Sequence, residues 1–169
     1  HDAAELMSQK INAELLELNF QNAQFVVDFK EQEKTVYTAN GIDMVEFLIS
    51  TNKGETPKPL AKIASGGEMS RIMLAFKKIV GDYDEIPTLI FDEIDAGISG
   101  ITASIVGRKL MQIAESHQVI CITHLPQIAA CGDYNFRIYK ESDETSTFTT
   151  VERLDGEQQI REIARLLGG

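Results

Sequence analysis

Thr88-Leu89-Ile90-Phe91-Asp92-Glu93-Ile94-Asp95-Ala96-Gly97-Ile98-Ser99-Gly100 joins a continuous apolar run to two adjacent carboxylates and then to a stretch of small residues. A short apolar run without alternation is expected of a strand covered on both faces, as in a parallel sheet. In open α/β sheets the carboxyl ends of strands are where ligands and metals gather, and that is where Asp92 and Glu93 stand. Successive side chains of an extended segment point to opposite sides, which frees the two acids for separate tasks. Asp92 suits the water shell of Mg²⁺, a cation that prefers oxygen ligands and keeps several waters. Glu93 suits orienting and deprotonating an attacking water. The plainer reading is a pair of acids in a surface loop; the small residues 95–100, which permit a tight turn into a following helix, weigh against it.

Downstream, the pattern predicts a helix over 101–116, a second continuous apolar strand over 118–122 and a short helix from Pro126. That strand-helix-strand order implies parallel strands and a right-handed crossover. The crossover brings Thr123-His124, at the end of the second strand, beside Asp92 and Glu93, where His124 is placed to hydrogen-bond a γ-phosphate. By itself a histidine in a turn usually does nothing chemical, and His1 and His117 keep that reading. Residues 136–139 and 147–154 then read as an edge hairpin and 158–167 as a closing helix.

Upstream, Ser65-Gly66-Gly67-Glu68-Met69-Ser70-Arg71 opens a helix over 67–80 whose apolar face carries Ile72, Met73, Phe76, Ile79 and Val80. Two glycines at a helix start let the backbone approach a ligand, and the free N–H groups there favour an anion. The Ser65 hydroxyl adds a further donor. The plainer reading is a capping box, with Ser65 as N-cap and Glu68 three residues on. Gly81 is the expected stop. Earlier still, Leu6, Ile11, Leu15 and Leu18 mark an amphipathic helix over 2–18. Residues 24–29 and 42–49 read as antiparallel strands with a turn at Asn40-Gly41, and 52–59 as a loop.

The chain has 169 residues, 43% of them hydrophobic, enough for one core and one compact unit. The absence of a long apolar run or a signal-like start leads to the expectation of a soluble, cytoplasmic protein without membrane contact. Cys121 and Cys131 lack metal-ligand spacing and read as small apolar residues. The formal net charge of −10 argues against a broad DNA-binding face, since duplex binding rests on Lys and Arg at phosphates. The opening at His1 and the close at Leu166-Leu167-Gly168-Gly169 suggest a piece cut from a longer chain, although processing gives the same ends.

The stretches Lys62-Ile63-Ala64-Ser65-Gly66-Gly67-Glu68-Met69-Ser70-Arg71, Phe91 through Gly100, and Cys121-Ile122-Thr123-His124-Leu125-Pro126-Gln127 resemble, in order, three motifs of the ABC-type ATPase heads of SMC-like chromosome-maintenance proteins. These are the signature motif, the Walker B motif with its D-loop, and the switch-histidine segment. The likeness runs from about Val45 to the end of the chain, and within the family points to a bacterial DNA-repair branch. Met69 departs from the commoner Leu, a swap of similar volume. The resemblance implies an α/β fold: the C-terminal lobe of an ABC/SMC-type P-loop ATPase head, with a parallel βαβ core and added antiparallel strands. Residues 1–18 would be the helical root of a coiled coil and 19–169 the lobe itself.

It further implies ATP and Mg²⁺ as cofactors. Glu93 and His124 would be catalytic, Asp92 would hold Mg²⁺ through water, and Ser65, Gly66, Gly67, Glu68 and Asp95 would contact nucleotide. Two heads would close around ATP, the signature motif of one reaching the γ-phosphate held by the other, and the work would be double-strand break repair and recombination on DNA, at the nucleoid. No stretch of the sequence fits Gly-x-x-x-x-Gly-Lys-[Ser/Thr], so an N-terminal lobe carrying that loop is an expected partner and this chain is expected to be inactive alone. The competing expectation is a non-catalytic protein-interaction module that keeps an ABC-like lobe.

Overall fold

The computed structural model describes residues 1–31, 37–39, 41–63, 65–83, 85–142 and 145–168. Asn40 of the expected turn, Ala64 of the quoted signature stretch and the terminal Gly169 lie outside the described residues.

Helix α1 (Asp2–Glu17) buries Ile11 and Leu15, and Leu18 just beyond its end is equally buried, whereas Leu6 on its first turns is 52% exposed. The end that meets the core is pinned by Asn12, whose amide donates to Phe25 O at 3.0 Å while its Oδ1 accepts Phe25 N–H at 2.8 Å. The side chain thereby serves the backbone of β1 (Gln24–Lys30) as a neighbouring strand would. Strand β1 pairs antiparallel with β2 (Met44–Ser50), in register from Gln24 opposite Ser50 to Lys30 opposite Met44. The stretch expected to be loop to its end instead closes with β3 (Lys58–Pro59), which pairs with β2 at Leu48 and Ile49. Pro59, without an N–H, sits where a sheet edge tolerates it.

Helix α2 (Gly66–Val80) lays Ile72, Leu74, Ala75 and Phe76 into the core, where Phe76 meets Phe25 edge-on at 5.1 Å between ring centres. Gly81 does not end this helix in a left-handed turn: its φ is −57°, and the chain tightens into a 3₁₀ turn over Gly81–Tyr83. Strand β4 (Thr88–Phe91) and β5 (Gln118–Cys121) are parallel, joined by α3 (Gly100–Ala114), with Thr88 opposite Gln118 and Phe91 opposite Cys121. A short α4 (Pro126–Ala129) follows, then the antiparallel hairpin of β6 (Phe136–Ser142) and β7 (Thr147–Arg153), and α5 (Gly156–Gly168). The fold is thus the mixed α/β arrangement expected, with parallel and antiparallel strands.

One expectation is corrected. The apolar strands β4 and β5 are not covered on both faces: Leu89 and Phe91 turn into the core, but Ile90 is 67%, Ile120 44% and Ile122 48% exposed. Among the described residues one face of the pair is packed into the core and the other is not, so alternate residues of an all-apolar run meet solvent.

Candidate functional site

The site is built around the turn that leaves β4. Asp92 is exposed, and its Oδ1 accepts the Glu93 N–H at 2.8 Å, which bends the chain at once. Glu93 has φ 54°, a left-handed conformation uncommon for any residue with a Cβ and held only where surroundings enforce it. Ala96 N–H returns to Glu93 O at 2.9 Å, and Gly97, with φ 72°, lets the chain turn again toward α3.

Helix α2 grips this turn from one side. Ser70 Oγ donates to Asp92 O at 2.6 Å, and Arg71 Nη1 donates to Ile94 O at 3.2 Å and Ala96 O at 2.8 Å. Arg71 is buried, with its guanidinium 5.2 Å from the Phe20 ring centre. Burial draws its pKa below the ordinary arginine value, opposed by the negative charges of Glu68 and Asp95. The glycines that open α2 lie against the same turn: a methyl on Gly66 would fall 2.5 Å from Glu93 Oε2, and one on Gly67 2.7 Å from Ala96 Cβ and 2.8 Å from Glu93 O. Ser65 caps the helix as a capping-box reading expects, its Oγ accepting Glu68 N–H at 3.3 Å. The hydroxyl proton remains available for an outside acceptor.

The loop after β5 grips the turn from the other side. Asp95 is 4% exposed. Its Oδ2 accepts from Thr123 Oγ1 at 2.5 Å, from His124 N at 2.8 Å and from Leu125 N at 3.3 Å, and lies 3.1 Å from His124 Nδ1. The His124 ring is otherwise open to solvent, its side chain 73% exposed.

Ser65, Gly66, Gly67, Asp92, Glu93, Asp95 and His124 therefore belong to one assembly, with segment 92–96 as its centre. Glu68 adds its N–H to the Ser65 cap and a negative charge near Arg71. Ser70, Arg71 and Thr123 carry structural bonds for which sequence reading named no role. A cationic residue on the apolar side of α2 was the available signal for Arg71, because a buried charge needs partners.

The local field is negative. Burial, then the charges of Asp95 and Asp92, push the Cys121 thiol up to about 12. Among the described residues no group of three or more His, Cys, Asp and Glu side chains is arranged to hold a metal ion. The donors present fit a cation held by one exposed carboxylate, with waters and phosphate oxygens completing its shell, as Mg²⁺ accepts. Two cavities, of about 260 Å³ between β7 and α5 and about 380 Å³ between α3, β5 and α4, include none of Asp92, Glu93 or His124 in their walls. Asp92, Glu93 and His124 lie exposed at the surface, outside both. No described helix is long and apolar enough to cross a membrane.

No family model matches the sequence. The chain is 45% identical over 166 residues to the DNA repair protein RecN of Vibrio cholerae, covering 98% of this chain and 30% of that protein. Against RecN of Haemophilus influenzae it is 45% identical over 167 residues, covering 99% and 30%. Against RecN of Bacillus subtilis it is 38% identical over 179 residues, covering 98% and 31%. The chain thus spans about three-tenths of the length of these curated relatives. In fold it resembles a chain solved in work on ATP-driven dimerization and DNA-stimulated activation of SMC ATPases, with a TM-score of 0.55 at 18% identity, covering 98% of this chain and 94% of that one. It also resembles the Smc head domain with a coiled coil and joint from Pyrococcus yayanosii, with a TM-score of 0.63 at 18% identity, covering 95% and 29%.

Proposed function

We propose, on the premise that this chain belongs to the RecN family and has the fold of the C-terminal lobe of an SMC-like head, that it supplies the signature motif and the catalytic Walker B residues of an ATPase acting in DNA double-strand break repair and recombination. The observation that carries this reading is the junction at segment 92–96. There the start of α2, the acidic end of β4 and the histidine after β5 are hydrogen-bonded into one unit, leaving the carboxylates of Asp92 and Glu93 exposed.

ATP with Mg²⁺ would bring the reacting phosphoryl group and a counter-charge for the acidic turn. Asp92, at the end of β4, would hold the cation's water shell. Glu93, fixed in its left-handed turn, receives a proton from water on its carboxylate. His124 presents Nε2 outward, where a ring protonated on both nitrogens would donate to a phosphate oxygen. Ser65, with its hydroxyl proton free, and the N–H groups of Gly66 and Gly67 form an anion-binding end of α2, directed to nucleotide on a second head. The bare face of Ile90, Ile120 and Ile122, and the pairing of β5 with β4 alone among the described strands, support an N-terminal lobe carrying the phosphate loop as the missing neighbour. Helix α1, anchored at its Leu15 end and exposed at its start, suits the root of a coiled coil. With a net charge of −10, DNA is engaged through other parts of the whole protein, in the cytoplasm at the nucleoid.

The test is ATP hydrolysis by this chain alone and after addition of a separately produced N-terminal lobe. The chain is expected to be silent alone, the mixture to turn over, and Glu93→Gln to abolish that turnover while ATP still binds. Undiminished turnover with Glu93→Gln removes Glu93 as the base. A partner complex that forms without nucleotide and survives Ser65→Arg and Glu93→Gln, with no hydrolysis in any mixture, points instead to an interaction module.

A further inference from the structure

We infer that Asp95, which the family resemblance groups with the nucleotide contacts, is the positioning residue for His124. Its oxygen Oδ2 fixes the proton on Nδ1 of the ring and holds the loop 123–125 that carries it.

A carboxylate that is 4% exposed has left most of its water, and protein donors must replace it. Among the described residues every donor that faces Oδ2 comes from three consecutive residues: the Thr123 hydroxyl, the backbone N–H groups of His124 and Leu125, and His124 Nδ1. Thr123 Oγ1 also accepts the Leu125 N–H at 3.1 Å, so its proton is committed to Asp95. The same oxygen therefore holds His124 at two points, backbone and ring.

An ionised carboxylate only accepts, so the ring nitrogen facing it must be the one bearing hydrogen. The tautomer is then Nδ1–H, and Nε2 is the atom presented to solvent. A ring that meets a phosphate oxygen carries both protons, Nδ1–H toward Asp95 and Nε2–H toward the phosphate, in the same orientation. A side chain that is 73% exposed would otherwise exchange rotamers freely. Arg71, bonded to Ile94 O and Ala96 O on either side, fixes the backbone of Asp95, so the ring is referred to α2 through a chain of bonds without a gap.

This inference rests on the reading of His124 as a phosphate-facing residue for its consequence, but its first test does not. In ¹⁵N-labelled chain, long-range ¹H–¹⁵N correlation reads the tautomers of His1, His117 and His124, with His124→Gln assigning the last. In the neutral ring, His124 is expected as Nδ1–H with a bare Nε2. Asp95→Ala is expected to return it to the Nε2–H form that a free imidazole favours. Asp95→Asn, whose amide oxygen can face the same donors, is expected to retain Nδ1–H. An Nε2–H ring at His124 in the unaltered chain overturns the inference whether or not any variant folds, and so does an unchanged tautomer in folded Asp95→Ala.

In the whole protein, Asp95→Ala is expected to lower kcat about 100-fold, as misplacement of a reacting group does, with KM for ATP changed by no more than about twofold. A raised KM with kcat intact contradicts positioning. If Glu93→Gln in the same protein still turns over, the catalytic reading fails while the tautomer result stands.

Discussion

Gly67 touches the turn after β4 so closely that a methyl on it would fall 2.7 Å from Ala96 Cβ and 2.8 Å from Glu93 O. Both obstacles belong to a segment whose carbonyls are held by Ser70 and Arg71, so neither can retreat cheaply. At Gly66 the obstacle is Glu93 Oε2, the free end of an exposed side chain. Gly67→Ala is therefore expected to destabilise the chain by about 1–3 kcal/mol, the usual result of overpacking. Gly66→Ala should change stability by less than about 1 kcal/mol, because the strain is relieved by a side-chain rotation and alanine favours a helix. Urea unfolding of the two variants decides it, and equal losses would contradict the account.

A second prediction concerns the join between α1 and the core. Lys109 on α3 is 5% exposed; it binds Glu14, and its Nζ lies 2.7 Å from Glu17 Oε2. Removing both acids by Glu14→Ala with Glu17→Ala leaves a buried ammonium unpaired and should cost about 3–5 kcal/mol. Glu17→Ala alone, at the exposed rim, should cost about 1 kcal/mol or less. Replacing the pair together, Lys109→Met with Glu14→Leu, should be close to neutral, since apolar side chains of similar volume avoid the desolvation.

The same pair sets a pH dependence. Burial works to lower the Lys109 pKa, but hydrogen bonds to Glu14 and Glu17 outweigh it and leave the value above that of an ordinary lysine. A value raised in the folded state gives stability that is complete below the unfolded lysine pKa and lost as pH rises through the folded value. Alkaline unfolding of the unaltered chain should carry this loss, and that of Lys109→Met should not.

The two cysteines should be chemically quiet. With its thiol pushed up to about 12 by burial and by Asp95 and Asp92, Cys121 at pH 8 has roughly 1,000-fold less thiolate than an unperturbed cysteine, and the thiolate is the reactive form. Burial raises the Cys131 thiol as well, partly offset by Arg108. Alkylation by iodoacetamide, followed by mass spectrometry, should be slow at both positions in the folded chain and rapid in guanidinium. Fast labelling of Cys121 in the folded chain would contradict its placement.

Much of this arrangement was legible before any coordinates. The apolar runs of β4 and β5, the carboxylates at 92 and 93, and the glycines at 66 and 67 are local signals, and each element lies within a few residues of where those signals place it. Less legible were features that depend on what packs against what. The open face at Ile90 and Ile120 follows from which helices the chain supplies, which an apolar run does not reveal. The 3₁₀ turn at Gly81 reflects a backbone choice that glycine leaves free. The burial of Asp95 is a tertiary fact: in sequence it is one more acid in a loop, and only the return of the chain at Thr123 encloses it.

On the proposed function, the signature end of α2 on one head and the acidic turn on another complete a single ATP site. The most direct test mixes two inactive forms of the whole protein, Glu93→Gln and Ser65→Arg, before ATP is added. If sites are shared across a two-fold dimer, half of the dimers in an equal mixture are mixed and each has one intact site of two, so about a quarter of normal hydrolysis should return. If each head completes its own site, both forms stay dead in every pairing, and a mixture without recovered activity would contradict the account.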